Sequence, residues 1–217
     1  MVDSCLKITQ PPYGYHYSLD ALAIADFAKI LPGDRILDLG TGCGVIAMIL
    51  AGRHPDTLIY GVEIDKEQVD IGRRNITDNH MTNRVAILHQ DIKTILPALI
   101  SGPVDVVISN PPHIKKASGR INPNARMAIA RHEIHVTLQD IIEAARRMLR
   151  PAGRLFMVYP AHRMTDAITQ MRQAGIEPKT LSVIYTRPGV PARRILIEGI
   201  KGGGPGVTIT HPVFLKS

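Results

Sequence analysis

Residues 35–44, Arg-Ile-Leu-Asp-Leu-Gly-Thr-Gly-Cys-Gly, constrain this chain more than any other stretch. Arg35 to Leu39 is a short apolar run with the length of a buried strand, and Gly40, Gly42 and Gly44 follow it at once. Glycines at alternate positions let the backbone adopt positive φ and approach a ligand closely. Val45 to Gly52 then has the pattern of a helix, so the segment reads as strand, tight turn, helix. A strand that leads through a glycine turn into a helix is the opening unit of a parallel α/β sheet.

The rest of the chain repeats that alternation. Further strands are expected at Thr57–Glu63, Val85–His89, Val104–Ser109, Gly153–Tyr159, Leu181–Thr186 and Arg194–Ile200. Helices are expected at 18–31, 66–79, 92–100, 137–149 and 161–174, with Ser18 and Thr137 as N-caps. The last two strands are separated by residues 187–193, too few for a parallel crossover of a dozen or more residues, so they pair antiparallel. The predicted fold is a Rossmann-like, doubly wound, mainly parallel seven-stranded sheet with an antiparallel C-terminal hairpin. All 217 residues form one domain. Residues 1–33 are an N-terminal arm and helix, 34–109 the first half and 110–217 the second. Lys201–Pro205 opens a Gly-rich tail read as loose until Val213.

Composition narrows the classes. Two cysteines, Cys5 and Cys43, supply neither a disulfide framework nor a cysteine zinc set. No run of about 18 uncharged apolar residues occurs, and the N-terminus has no cationic and apolar leader pattern, so a cytoplasmic protein that does not span a membrane is expected. The net charge is +7, and it is local. Residues 146–217 hold twelve basic side chains against three acidic. Residues 110–135 add Lys115, Lys116, Arg120, Arg126 and Arg131 against Glu133 alone. The remainder is acidic, which sets a basic second half beside an acidic first half and points to an anionic partner.

Ligands of such sheets bind beyond the carboxyl ends of the strands. The first strand ends in Asp38 and the glycine turn. This turn is not a P-loop, and Val45 replaces the third glycine of the dinucleotide pattern G-x-G-x-x-G. The second strand ends in Glu63, suited to accept both hydroxyls of an unphosphorylated ribose. The third leads to Asp91, which suits an adenine amine or an N-cap equally. The fourth ends in Asn110-Pro111-Pro112-His113. An Asn carbonyl and a proline-fixed backbone carbonyl can accept both N–H groups of a planar amine, and a flat side chain at 113 can stack on its ring.

These residues resemble the class I S-adenosylmethionine-dependent amino-methyltransferases, whose signature is [DNS]-P-P-[YFWH]. Gln10–Asp20, Ala130–Glu133 and Ala192–Gly203 resemble segments of the bacterial valine-tRNA adenine-N6 methyltransferase group. The resemblance spans 5–215. It implies S-adenosylmethionine held by Tyr17, Asp20, Asp38, Gly40, Gly42, Glu63, Ile64, Asp91 and Asn110. It implies catalysis by Asn110, Pro111, Pro112 and His113 on the N6 amine of an adenine in RNA, a tRNA anticodon loop above all. Lys115, Lys116, Arg120, Arg126, Arg131, Arg193 and Arg194 would face the RNA. The last signature position is commonly Tyr or Phe, so His113 offers less stacking area.

Other readings stay beside this one. A nicotinamide-dependent oxidoreductase can use the same sheet, with Val45 and the terminal hairpin against it. A protein glutamine amide or a small molecule can also be methylated at a planar nitrogen. His132-Glu133-Ile134-His135 lacks the H-E-x-x-H spacing, so no metal is expected. Cys43 reads as a packing residue. The alternation of Tyr13, Tyr15 and Tyr17 fits a base-stacking strip or a packed arm.

Overall fold

The structure, a computed structural model, describes residues 6–11, 19–111 and 136–214. The elements in chain order are α1 (Leu19–Phe27), β1 (Arg35–Leu39), α2 (Val45–Arg53), β2 (Leu58–Glu63), α3 (Lys66–Asp78), β3 (Val85–His89) and β4 (Val104–Ser109). They continue as α4 (Leu138–Met148), β5 (Leu149–Pro160), α5 (Met164–Gln173), β6 (Ile176–Tyr185), β7 (Arg194–Lys201), β8 (Thr208–Ile209) and β9 (Val213–Phe214). Spatially the strands run β3-β2-β1-β4-β5-β7-β6-β8, with β9 also on β6. The first five are parallel, and β7 is antiparallel to both β5 and β6. The mainly parallel sheet with an antiparallel C-terminal hairpin therefore holds.

Alternation along each strand builds two apolar layers. Ile36, Ile59, Val106, Ile108, Phe156 and Val158 pack with α1, α2 and α3 on one face. Leu37, Leu39, Val62, Val107, Leu155 and Met157 pack with α4 and α5 on the other. Both layers are fully enclosed, which is why β1 and β4 read as near-continuous apolar runs. α4 is fixed at its start by a capping box in which the Thr137 hydroxyl accepts from the Asp140 amide and the Asp140 carboxylate accepts from the Thr137 amide.

Some element ends shift: the helix expected to reach residue 31 stops at Phe27, and β5 and β6 begin earlier than expected, at Leu149 and Ile176. Three further expectations differ in kind. Residues 92–100 do not form one helix: an Asx turn at Asp91 gives way to extended Leu96 and a 3₁₀ turn over Pro97–Ile100. Pro97 drives the preceding residue out of the helical region. The helix expected over 161–174 begins as a 3₁₀ turn, Ala161–Arg163, and becomes α5 only at Met164. The tail is not loose: β8 and β9 lie parallel on β6, and the Ser182 hydroxyl donates to the His211 carbonyl. Among the described residues the sheet has nine strands, seven of them the expected ones. Among the described residues no helix is long and apolar enough to cross a membrane.

Two glycines mark places where layers touch. A Cβ on Gly199 of β7 would meet the Met171 methyl at 2.3 Å and Ile176 at 2.8 Å, so the missing side chain is what lets Met171 of α5 settle on the sheet at that point. A Cβ on Gly61 of β2 would lie 2.7 Å from both Ile87 and Thr41. Replacing Gly61 by alanine overpacks this contact, and a loss of about 1–3 kcal/mol is expected in urea unfolding. Gly204→Ala, where the added methyl meets nothing within 4 Å, is the control and should stay within about 0.5 kcal/mol of the parent.

Candidate functional site

The strand order reverses at β1, which lies between β2 and β4, and the carboxyl ends of β1 and β4 are in register at Leu39 and Ser109. The Ser109 hydroxyl, fully buried, donates to the Leu39 carbonyl at 3.0 Å and ties the two tips together. The glycine turn and Asn110 thereby open into the same crevice, where ligands of such sheets bind. The backbone amides of Gly40 and Thr41 both donate to the Val62 carbonyl at the tip of β2. Gly40, Gly42 and Gly44 have φ of 74°, 56° and 85°, so each occupies the left-handed region that the sequence required of it.

Asp38 is fully buried near the carboxyl end of β1. Its Oδ2 accepts from the Thr41 hydroxyl at 2.7 Å, and its Oδ1 has no partner. Burial pushes its pKa up to about 7, against the lowering effect of the Thr41 bond and with a smaller push from the Glu63 charge. An orphaned, desolvated carboxylate oxygen is costly unless a cation meets it, and the α-ammonium of a methionine moiety is such a group. Glu63, 8% exposed, accepts from the amides of Gly42, Ile64 and Asp65 at 2.9–3.0 Å. Three donors leave its two oxygens with capacity for about one more.

Of the other residues expected at the cofactor, Asp91, Ile64 and Asn110 follow the ends of β3, β2 and β4, and Asp20 lies at the start of α1. Asp91 holds an Asx turn, its Oδ1 accepting from the Lys93 amide at 2.8 Å. Exposed Ile64 follows Glu63, and its carbonyl meets the His89 ring at 3.0 Å. Asn110 is half-buried and Pro111 buried at the tip of β4. Asp20, in α1, is buried and accepts from Arg194 at 3.2 Å. These two expected site residues, one assigned to the cofactor and one to RNA, therefore meet each other as a nearly buried ion pair. Arg193 is exposed beside it. Tyr17, Pro112, His113, Lys115, Lys116, Arg120, Arg126 and Arg131 lie outside the described residues, as do Ser18, Tyr13, Tyr15 and the His132–His135 segment. Cys43 packs in the core, and burial pushes its thiol pKa up, as befits a packing residue. Among the described residues no group of three or more His, Cys, Asp or Glu could hold a metal ion.

Sequence reasoning missed the residues that hold this edge in place. Arg147 of α4 donates to the carbonyls of Ile95 at 2.7 Å, Ile92 at 2.9 Å and Lys93 at 3.1 Å, pinning the loop that carries Asp91. Thr41 holds Asp38, and Ser109 holds the two strand tips. Asn75 of α3 and Asn79, the C-cap that ends it, also belong here. Asparagine is a poor residue inside a helix, and Asn75 was the available signal.

The raised pKa of Asp38 has a measurable consequence for the cofactor-free protein. The folded state holds this proton up to about pH 7, whereas the unfolded chain releases it near 3.8. The group therefore costs nothing below about pH 4, and its penalty grows as pH rises to about 7. Asp38→Asn keeps an acceptor for Thr41 and removes the ionisation. Its stability relative to the parent should rise by roughly 3–4 kcal/mol between pH 4 and pH 8, taking about 1.4 kcal/mol per pKa unit. Denaturant unfolding at the two pH values checks this, and an equal difference at both would refute it.

Comparison with known proteins agrees with this geometry. The family model described as "Methyltransferase small domain" matches residues 21–174. A tRNA1(Val) (adenine(37)-N6)-methyltransferase from Porphyromonas gingivalis is 33% identical over 182 residues, 83% of this chain and 70% of that protein. One of the same name from Tolumonas auensis is 32% identical over 179 residues, covering 82% and 73%. Among solved structures, a predicted O-methyltransferase from Agrobacterium tumefaciens superposes with a TM-score of 0.71 at 23% identity, covering 89% of this chain and 86% of that one. TrmN from Thermus thermophilus does so at 0.57 and 22%, covering 83% and 48%. The family match sets aside the nicotinamide-dependent oxidoreductase reading. With its glycine turn, its orphaned acid and its strand order all accounted for, the chain belongs to the methyltransferase small-domain family and uses S-adenosylmethionine as its cofactor.

Proposed function

We propose that this protein methylates the exocyclic N6 amine of an adenine in tRNA, in the anticodon loop. The observation that carries the reading is the placement of Asn110 and the Pro111 carbonyl at the tip of β4, tied by Ser109 to the tip of the cofactor strand β1. The names of the Porphyromonas and Tolumonas relatives support the same substrate. A methyl acceptor bound at Asn110 stands in the crevice that also receives the cofactor.

The cofactor supplies an activated methyl group on a sulfonium centre. Asp38 would meet its ammonium group, Glu63 its ribose hydroxyls and Asp91 its adenine amine, with Gly40 and Gly42 allowing close approach of the backbone and Ile64 against the ring. Tyr17 and Asp20 would adjoin the methionine end. On the acceptor side, an adenine amine is a weak nucleophile because its lone pair is delocalised into the ring. Asn110 and the Pro111 carbonyl accept its two N–H bonds, favour a tetrahedral nitrogen and stabilise the positive charge that develops there. Pro112 would restrict the chain after Pro111, and His113 would offer a flat ring to the base. Holding both partners in line lowers the barrier, and the methylated nitrogen, cationic and acidic once the bond is made, gives up its extra proton to water, so no strong base is required before transfer.

An anticodon loop presents its bases unpaired, which lessens the cost of exposing the target. Its phosphates would meet exposed Arg193 together with Lys115, Lys116, Arg120, Arg126 and Arg131. Arg194 contributes through Asp20, whose position it fixes, and reaches a phosphate only if that pair opens. Such binding weakens steeply as salt rises.

Two measurements test the reading. Incubation of unmodified tRNA with the protein and S-adenosylmethionine should yield N6-methyladenosine by nucleoside mass spectrometry, and its absence would refute the substrate. Asn110→Ala should lower kcat by about 10²–10³-fold, the usual effect of removing one such charge-stabilising group. Its affinity for S-adenosylhomocysteine should stay within a few-fold of the parent. Retained turnover would remove Asn110 from the mechanism.

A further inference from the structure

Residues 7–9 run along α3 as an extended strand would run along a neighbour, yet their partners are side chains. The Lys7 amide donates to Asn79 Oδ1 at 3.0 Å, and the Lys7 carbonyl accepts from Asn79 Nδ2 at 2.7 Å. The Thr9 amide donates to Asn75 Oδ1 at 2.9 Å, and the Thr9 carbonyl accepts from Asn75 Nδ2 at 2.9 Å. The spacing explains why this works. Residues two apart in a strand advance by about 6.7 Å, and residues four apart in a helix by about 6.0 Å. Two carboxamides one helical turn apart therefore copy the edge of a β-strand.

The two amides are not equivalent. Asn79 also reaches its own helix, through the Asn75 carbonyl at 2.8 Å. Asn75 is 1% exposed, and its second Nδ2 bond goes at 2.9 Å to the carbonyl of Cys43, inside the glycine turn. Cys43 lies between two residues of positive φ, Gly42 and Gly44. The next amide, Gly44, donates to the Thr41 carbonyl at 3.0 Å. The direction of the Cys43 carbonyl thus sets the plane of a peptide within the turn, and Asn75 holds that direction. α3 can approach closely enough because Gly72, one turn earlier, has no side chain: a Cβ there would lie 3.3 Å from the Cys43 backbone.

We propose that Asn75 is a positioning residue for the cofactor turn, joining it to the N-terminal segment so that the docking of residues 7–9 and the binding of S-adenosylmethionine reinforce each other. The proposal rests on the cofactor assignment above. It needs no contact between Asn75 and the cofactor. Asn75 acts through the Cys43 carbonyl, and the segment acts through Asn75.

The decisive variant is Asn75→Asp, which keeps size and the acceptor for the Thr9 amide but turns a carboxylate oxygen toward two carbonyls. Calorimetric titration with S-adenosylhomocysteine should show affinity weakened by about tenfold, the worth of one buried hydrogen bond. KM for S-adenosylmethionine should rise in parallel, with kcat at saturating cofactor within about twofold. Asn79→Ala, which loosens the segment without touching the turn, should cost less than about threefold. In hydrogen exchange, S-adenosylhomocysteine should protect the Lys7 and Thr9 amides of the parent and fail to protect them in Asn75→Asp. Unchanged affinity in Asn75→Asp, or an equal loss in Asn79→Ala, overturns the proposal. Should Asn75→Asp not fold, Thr9→Pro removes the donor to Asn75 alone, and unchanged affinity there overturns it equally. Failure of the parent itself to bind S-adenosylhomocysteine would overturn the cofactor reading and this inference with it, a result distinct from parental binding with an indifferent variant.

Discussion

The pairing of β1 on both sides is the constraint on which the rest depends. Five residues, Arg35–Leu39, form a ladder with β2 on one edge and β4 on the other. Their side chains feed both apolar layers, with Ile36 in one and Leu37 and Leu39 in the other. A strand so enclosed has no latitude in register, because a shift of one residue would exchange the layers. Its end therefore falls at one place, where the chain must turn sharply to reach α2. The glycine turn, the buried Asp38 and the seam to Ser109 follow from that position.

The two ends of the sheet use charge in opposite ways. At the amino-terminal ends of the strands, carboxylates are matched: Asp34 with Arg154 at 2.6 Å, and Asp105 with both Arg150 and the Arg35 amide. Against the raising effect of burial, the Arg35 amide and Arg150 together hold the Asp105 carboxyl below its ordinary range. At the carboxyl-terminal ends, Asp38 is left with an unmet oxygen and a pKa pushed the other way. One end is satisfied within the protein and serves stability. The other is incomplete without a ligand, as functional sites commonly are.

The sheet was legible because its determinants are local. Apolar runs, glycine at the turn and the brief connection between β6 and β7 each state their conformation in a few adjacent residues. The tips carrying Asp38, Glu63, Asp91 and Asn110 could be named for the same reason, since strand ends are visible and ligands of this fold collect there. The misread segments were decided by competition. Pro97 and the Asx turn at Asp91 overrode an apolar pattern that looked helical, and the tail found order only because β6 offered an open edge. The supporting residues were illegible for a further reason. Arg147, Asn75 and Thr41 act on carbonyls or carboxylates distant in sequence or hidden in the fold, and nothing in their own neighbourhoods announces the partner. Arg194 shows the converse. It looks like a surface cation in sequence, and its partner is 174 residues away.

The side-chain ladder on α3 also sets how the chain's beginning is attached. Lys7 and Thr9 use both their backbone groups on Asn79 and Asn75, while α3 keeps its own helical bonds and the sheet is unaffected. The segment is thus a fitted part and not a woven one. Taking it away breaks these four hydrogen bonds and the packing of Leu6 and Ile8 on the core, but no helix or strand. The Lys7 and Thr9 groups leave with the segment and meet water, whereas the Asn75 amide must find new partners for what it loses while it still holds the Cys43 carbonyl, and the burden of separation falls on that one side chain.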